Sequence, residues 1–498
     1  MKFWRKYHKW AGIVLSFFLL LFSASGILLN HREAISALSI PRSLLSSSYQ
    51  YHNWNNAALK GSLKIDSTST LYYGNIGCWL YNGNNASWTD FNKGFSNGID
   101  KRKITKALQS ANGRLFAGTL FGLYEYKNNH WNFIDLNIDH QRITDLTEVD
   151  NELMILTRSE LGRLHLGNDS LEISTLPAPE GHQRTTSLFK TIWVLHSGEI
   201  LGTTGKLLVD IVALVFIFLS VTGIIWFISP SLIKQAKRKL QSAEKTKQLL
   251  RFSVKWHNKL GYYTTIMLVF TTFTGMFLRP PLLISIANAQ VKSIPYSMLD
   301  TPNAWHDQLR GIRYNSDYGV YIISTTKGMY AMTADFKEMV KIPNQPPVSV
   351  MGITVFEEKA ANNYLVGSFS GLYLWNPFTN FCYNYITKQP HIPQVGMTRP
   401  IGVNMASGYH MDEAGEVYFD YNQGAVTLNS NIRFEQMPES IISNSPLSLW
   451  NLALEVHTGR IFQDFISAFY ILIVPLTGLS TIILLLSGLW IYLKKSQT

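Results

Sequence analysis

The chain has 498 residues, more than one compact core usually holds, and is 46% hydrophobic, 13% aromatic and only 15% charged. Its formal net charge of +11 would suit a nucleic-acid binder, yet the basic residues collect at the ends of apolar runs. That placement speaks for membrane topology and against nucleic acid as a partner.

In chain order, the first apolar run covers residues 10–29, close to the roughly 20 residues a bilayer requires. Lys2, Arg5, Lys6 and Lys9 precede it. A cleaved signal peptide would start in the same way, but this run is longer than usual for one and a copy of it recurs in mid-chain. On a helix, His8, Gly12, Ser16, Ser23 and Gly26 fall within about 80° of one another at about 100° per residue. His31 follows the run, about 140° round from His8.

A long segment, 30–206, leads to Leu195-His196-Ser197-Gly198-Glu199 and a second run, 207–228. Asp210 is expected in the first turn of that helix, where a carboxylate suits the dipole. Lys234, Lys237, Arg238, Lys239, Lys245, Lys247, Arg251 and Lys255 then fill the stretch before a third run, 260–278. There His257, Gly261, Thr265, Thr272 and Gly275 repeat the stripe of the first run. After the segment 279–464 comes a fourth run, 465–493, in which Pro475 predicts a kink. Lys494 and Lys495 follow it. The positive-inside rule puts both termini and the basic stretch in the cytoplasm and the two long segments outside.

The halves are a tandem repeat. Tyr7-His8-Lys9-Trp10-Ala11-Gly12 matches Trp256-His257-Asn258-Lys259-Leu260-Gly261, and Ala24-Ser25-Gly26 matches Phe273-Thr274-Gly275. Val194-Leu195-His196-Ser197-Gly198 matches Val456-His457-Thr458-Gly459 around its histidine. Two parallel copies imply a pseudo-two-fold axis along the membrane normal. The expected organisation is a transmembrane helix (1–31), an outer β half-domain (32–190), a second helix (191–228), a cytoplasmic basic loop (229–256), a third helix (257–279), a second β half-domain (280–454) and a fourth helix with its tail (455–498).

That symmetry opposes His8 to His257 at the cytoplasmic side and His196 to His457 at the outer side. Two neutral imidazoles facing across a helix bundle make the axial ligand set of a b-type haem, so two haem b groups are expected. Gly12, Gly26, Gly261 and Gly275 would let a flat porphyrin approach, though small-residue stripes also serve as helix-packing seams. His31 faces Pro280 in the repeat and is a reserve ligand. The chain has no Cys-x-x-Cys-His, which excludes covalent haem attachment.

The outer segments carry a shorter repeat of apolar strand, turn and alternating strand. Its turn glycines are assigned as Gly77, Gly122, Gly162, Gly328, Gly371 and Gly424. The spacing resembles the blades of a propeller, three from each half closing into one six-bladed ring, with a pair of smaller sheets as the alternative. His140 and His391 stand at near-equivalent places and could line one face, although loop histidines are commonly incidental. Cys78 and Cys382 fall in the first and fifth blades and are expected as free buried thiols.

The His8-Lys-Trp-Ala-Gly start, the Ser25-Gly-Ile-Leu-Leu-Asn-His31-Arg exit and the run from Leu195-His196-Ser-Gly-Glu-Ile-Leu-Gly to Leu208-Val-Asp210 resemble the PepSY-associated transmembrane family. The resemblance covers the spans and their flanks, and the outer region departs from a PepSY domain. It implies a bacterial inner-membrane protein with two haems in a four-helix core, reducing a ferric siderophore or similar Fe(III) chelate on the periplasmic side. No Gly-x-Gly-x-x-Gly follows a strand, so the electron donor is expected to be a quinol or a separate cytoplasmic reductase. The rival readings are a haem-free membrane-anchored propeller acting as a sensor or binding protein, and an iron-chelate transporter. The transporter would need a polar pathway, of which Asp210 and the small-residue stripes are the only hints.

Overall fold

The structure is a computed structural model that describes residues 2–349, 351–392, 402–413, 415–429 and 433–496. The chain forms two compact units, one of Met1–Ile35, Gln183–Asp300 and Leu449–Thr498, the other of Ser36–His182 and Thr301–Ser448. Each unit thus draws on both halves of the repeat.

The first unit is helical. Its elements are α1 (Lys2–Asn30), α2 (Leu188–Ser197), α3 (Gly202–Arg238), α4 (Glu244–Met276), α5 (Leu449–His457) and α6 (Ile473–Ser496). The long helices α1, α3, α4 and α6 pack in a ring in which α1 meets α3, α3 meets α4, α4 meets α6 and α6 meets α1. All four feed one core: Leu19 from α1, Val212, Phe216 and Leu219 from α3, Leu260 and Leu268 from α4, and Leu485 from α6. Their outward faces carry exposed Val14, Phe17, Ile211, Leu214, Leu476 and Leu486, an apolar exterior that water disfavours and lipid accepts.

Among the described residues three helical stretches are long and apolar enough, by length and composition, to cross a membrane: Lys2–Asn30, Glu199–Arg238 and Arg460–Lys494. The third expected span is not among them. It lies in α4, whose N-terminal half carries Glu244, Lys245, Lys247, Arg251 and Lys255.

Two local expectations need correction. Because α3 begins at Gly202, Asp210 stands in its third turn, buried, rather than in the first. Because α6 begins at Ile473, Pro475 lies in its first turn, where a missing N–H costs no intrahelical bond. No kink follows from it.

The second unit is all β. Among the described residues it contains six antiparallel meander sheets, covering residues 61–90, 104–134, 143–174, 309–341, 353–390 and 406–427. Each sheet keeps its strands in chain order. Six apolar cores join them in sequence. Leu71 and Tyr73 of the first meet Ile104 and Ala117 of the second, and the pattern continues until Tyr72 and Trp79 of the first meet Val417 and Phe419 of the sixth. Trp54, Trp131, Trp305 and Trp375 are fully buried in four of these cores. Each indole N–H donates to a backbone carbonyl, at 2.6, 2.8, 2.8 and 2.9 Å respectively, so a large apolar ring is buried with no polar atom stranded.

Five of the six assigned turn glycines, Gly77, Gly122, Gly328, Gly371 and Gly424, have positive φ at the second hairpin of their sheets. Gly77 cannot be replaced without cost, since a Cβ there would collide with Asn92. Gly162 lies inside the strand Leu161–His165 instead. In that sheet Glu160 takes the turn position, its carbonyl accepting from Thr157 Oγ1 as Gly122 accepts from Thr119.

Candidate functional site: two facing histidine pairs

The helical unit brings the four repeat histidines together two by two. His8 of α1 faces His257 of α4 with ring centres 6.2 Å apart. His196 at the end of α2 faces His457 at the end of α5 with ring centres 6.0 Å apart.

In all four the Nδ1 edge is held by a neighbouring helix. His8 Nδ1 lies 3.1 Å from the Leu484 carbonyl and 3.0 Å from Ser487 Oγ. His457 Nδ1 lies 2.9 Å from the Phe22 carbonyl and 3.1 Å from Ser25 Oγ. His196 Nδ1 lies 3.0 Å from the Thr271 carbonyl and 3.3 Å from Thr274 Oγ1. His257 Nδ1 lies 3.0 Å from Thr222 Oγ1, with the Leu219 carbonyl as its backbone partner.

A carbonyl can only accept, so the proton of each ring sits on Nδ1. Each hydroxyl donates down its own helix, Ser25 to Leu21 and Thr222 to Phe218 at 2.7 Å, which leaves its lone pairs for the imidazole. Nε2 is then an unprotonated donor atom. Among the described residues no hydrogen bond engages it in any of the four rings.

The partners share one local sequence. Ser25-Gly26, Thr222-Gly223, Thr274-Gly275 and Ser487-Gly488 each present a hydroxyl to Nδ1, a carbonyl three residues earlier, and a glycine beneath the ring. A Cβ added at Gly275, Gly488, Gly26 or Gly223 would lie 2.7, 2.8, 3.2 or 3.6 Å from Cε1 of its histidine. Gly26 and Gly275 were expected from the repeat. Gly223 and Gly488 were not, although the Ser/Thr-Gly dipeptide that marks them recurs in every apolar run. Gly12 and Gly261 touch no histidine, lying against Leu484 and Leu219.

Around His8 and His257 the four long helices enclose a cavity of about 580 Å³, also lined by Gly12, Gly261 and Arg5, a volume in the usual range for small-molecule and cofactor sites. The buried hydroxyls of Ser220 and Thr481 line it without a hydrogen-bond partner. Among the described residues no three His, Cys, Asp or Glu side chains gather as a metal site.

The other candidates lie elsewhere. His31 Nε2 is bonded to Asp210 Oδ2 at 2.7 Å, and Asn30 Nδ2 donates to Asp210 Oδ1 at 2.9 Å. His31 thus presents Nε2 to a carboxylate rather than to another imidazole. His140 is exposed and His391 packs beside Tyr373, and no contact joins the two among the described residues. Cys78 and Cys382 are free and buried in the first and fifth sheets. Burial pushes the Cys382 thiol up to about 11 and Cys78 well above the ordinary thiol range.

Residues 5–495 match the model of the PepSY-associated TM region. The chain belongs to that family. The matched range takes in all four histidines and all four Ser/Thr-Gly dipeptides of this PepSY-associated chain. Among solved structures it is similar to one described as the extracellular domain of a hybrid two-component system from B. thetaiotaomicron, at 11% identity and a TM-score of 0.36 over 78% of this chain and 34% of that one. A second such domain from the same organism gives 10% identity and a TM-score of 0.34 over 75% and 33%. The PepSY-associated chain spans about a third of each. No curated protein matches it in sequence.

Proposed function

We propose that the chain conducts electrons across a bacterial inner membrane through two haem b groups, one between His8 and His257 and one between His196 and His457, and delivers them to an Fe(III) chelate such as a ferric siderophore outside. The observation that carries this reading is the shared setting of four imidazoles, each with Nδ1 engaged by a neighbouring helix, Nε2 without a hydrogen bond among the described residues, and its ring centre about 6 Å from a partner's. Metal-bound histidines characteristically donate their second N–H to a carbonyl or hydroxyl. Two imidazoles sharing one metal at about 2 Å from each donor nitrogen hold their ring centres about 6 Å apart. The separations of 6.2 and 6.0 Å are compatible with that spacing. Two donors alone make a poor site for a bare ion, whereas a porphyrin brings four nitrogens of its own. The small residues and unpartnered hydroxyls of the inner cavity favour a flat group with some polarity.

A bound haem b supplies a reversible one-electron couple. The protein's own part is to fix ring orientation through Leu484, Ser487, Leu219 and Thr222 at the inner pair and Phe22, Ser25, Thr271 and Thr274 at the outer pair. Gly26 lies 18 residues beyond His8 on α1, so the two levels are about 27 Å apart along that helix, a span comparable to the hydrocarbon core. Reduction of an Fe(III) chelate weakens hard oxygen ligands, because Fe(II) is less charged and softer.

The surrounding architecture fits this role when α4 is counted as a fourth span. Its C-terminal half turns Tyr263, Ile266, Phe270 and Phe273 outward, the pattern of a lipid-facing helix. The basic residues Lys234–Lys255 then mark the cytoplasmic side, where a quinol or a reductase supplies electrons. We read the six sheets as blades of a propeller on the periplasmic side, the core between sixth and first sheets closing the ring.

The test is a visible spectrum of the detergent-purified chain, oxidised and dithionite-reduced, with pyridine haemochrome quantitation. Two b-type haems per chain are expected, falling to one in His8→Ala or His457→Ala. A colourless protein from haem-replete cells would overturn the proposal.

A further inference from the structure

Two arginines at the outer end of the helical unit lack a full set of partners. Arg279 lies four residues beyond Gly275, the glycine beneath His196, and Arg460 lies three residues beyond His457. The Nε atoms of both are buried without a hydrogen-bond partner. Arg460 is paired with Glu455. Arg279 stands over the Tyr470 ring at 5.9 Å, and Arg460, Tyr470 and Glu455 are the charged or polar groups that act on it.

The repeat itself does not demand them. At the equivalent positions the first half has Asn30 and Glu199, so neither arginine is a packing requirement of the helix ends. A buried Nε–H left without an acceptor is costly, and the planar fork of a guanidinium is suited to carboxylate. The location specifies which carboxylate. Arg279 follows the helix α4 that holds His196, three residues after its end at Met276, and Arg460 follows His457 in the chain, so each stands close in sequence to the outer pair or to the residues that hold it.

We propose that Arg279 and Arg460 form a carboxylate-binding subsite beside His196 and His457, filled by the propionates of the haem those histidines hold. This rests on the haem reading above. Two positive charges at that position favour the reduced state and raise the outer midpoint potential relative to a neutral site.

The experiment is a redox titration of the full chain in detergent, as wild type, Arg279→Gln, Arg460→Gln, the double variant and Arg279→Lys. His8→Ala and His457→Ala identify which component is which. The outer component should move to a more negative potential in each Gln variant and further in the double, with the inner component unmoved and Arg279→Lys largely restored. Wild type reconstituted with haem dimethyl ester loses two negative charges instead, so its outer potential should rise, and the substitutions should then shift it by less than they do with haem b. A coloured protein whose outer potential ignores both substitutions overturns the subsite while leaving the haem reading standing. Additive effects of ester and substitution overturn the assignment to propionate. Should the wild type be colourless, the haem reading fails and the subsite is read directly with citrate as probe: a melting temperature raised by citrate in wild type but not in the double variant supports it, and no rise overturns it.

Discussion

His196 lies against Gly275 so closely that a Cβ on that glycine would stand 2.7 Å from the imidazole Cε1. The three other histidines have the same neighbour at graded distances, from 2.8 Å at Gly488 to 3.6 Å at Gly223. Space decides the consequence of adding a methyl group. Gly275→Ala should displace His196 and cost the outer haem, and Gly488→Ala should displace His8 and cost the inner one. Gly223→Ala, at an ordinary contact distance, should keep both. Haemochrome counts on the three variants read this directly, and equal retention would show that the glycines do not set the room for the rings.

The hydroxyls make a second, smaller prediction. Thr274→Val takes one Nδ1 partner from His196 and leaves the Thr271 carbonyl, and Thr222→Val does the same to His257. Loss of such an outer partner typically costs about 10- to 100-fold in metal affinity, and the remaining carbonyl should keep the effect near the low end. Haem transfer to an excess of a scavenging apoprotein should be faster for one haem only, the outer in Thr274→Val and the inner in Thr222→Val. An unchanged transfer rate would assign the hydroxyls to their own helices alone.

The facing of His8 with His257 and of His196 with His457 was suggested by the repeat, because equivalent positions that lie near the axis of two parallel copies come close to one another. The six sheets could be read from strand alternation and turn glycines, although the third turn was displaced by two residues where Glu160 replaces glycine. What could not be read was the Nδ1 side of each histidine. Its partners lie on a different helix, at sequence separations as large as 479, and no periodicity within one helix shows them. The role of Asp210 was hidden for a related reason. The helix starts several residues before its apolar run, at Gly202, so the carboxylate falls beside Asn30 and His31 rather than at a free N-terminus.

The Asp210 cluster holds His31 differently from the four paired histidines, which engage a neighbouring helix through Nδ1. His31→Gln should leave two haems per chain and an unaltered spectrum, because His31 Nε2 is already held by Asp210. Asp210→Leu should leave the haem count alone while lowering stability by about 1–3 kcal/mol, since His31 and Asn30 lose a buried acceptor. A His31→Gln protein with one haem would return His31 to the ligand set.

In the β unit, His410 ties the sixth sheet to the first. It is 3% exposed, with Nδ1 at 2.6 Å from Ser62 Oγ, and Nε2 at 3.1 Å from the Tyr72 hydroxyl and 3.0 Å from Asp412. Burial lowers its pKa below 6.5, with Asp412 opposing the shift. Burial also raises the Tyr72 hydroxyl, which stays protonated throughout. Well above pH 6.5 the imidazole is neutral both folded and unfolded, and the seam keeps its full stability. As the pH falls below 6.5, the unfolded chain takes up the proton first, so stability declines toward the lowered folded value. Melting of the β unit, followed by tryptophan fluorescence, should therefore fall between pH 7 and 5 more steeply in wild type than in His410→Gln. At neutral pH the wild type should be the more stable, because His410→Gln loses about 1–3 kcal/mol from unsatisfied Ser62 and Tyr72. Parallel pH profiles for the two proteins would show that His410 does not couple protonation to closure of this seam.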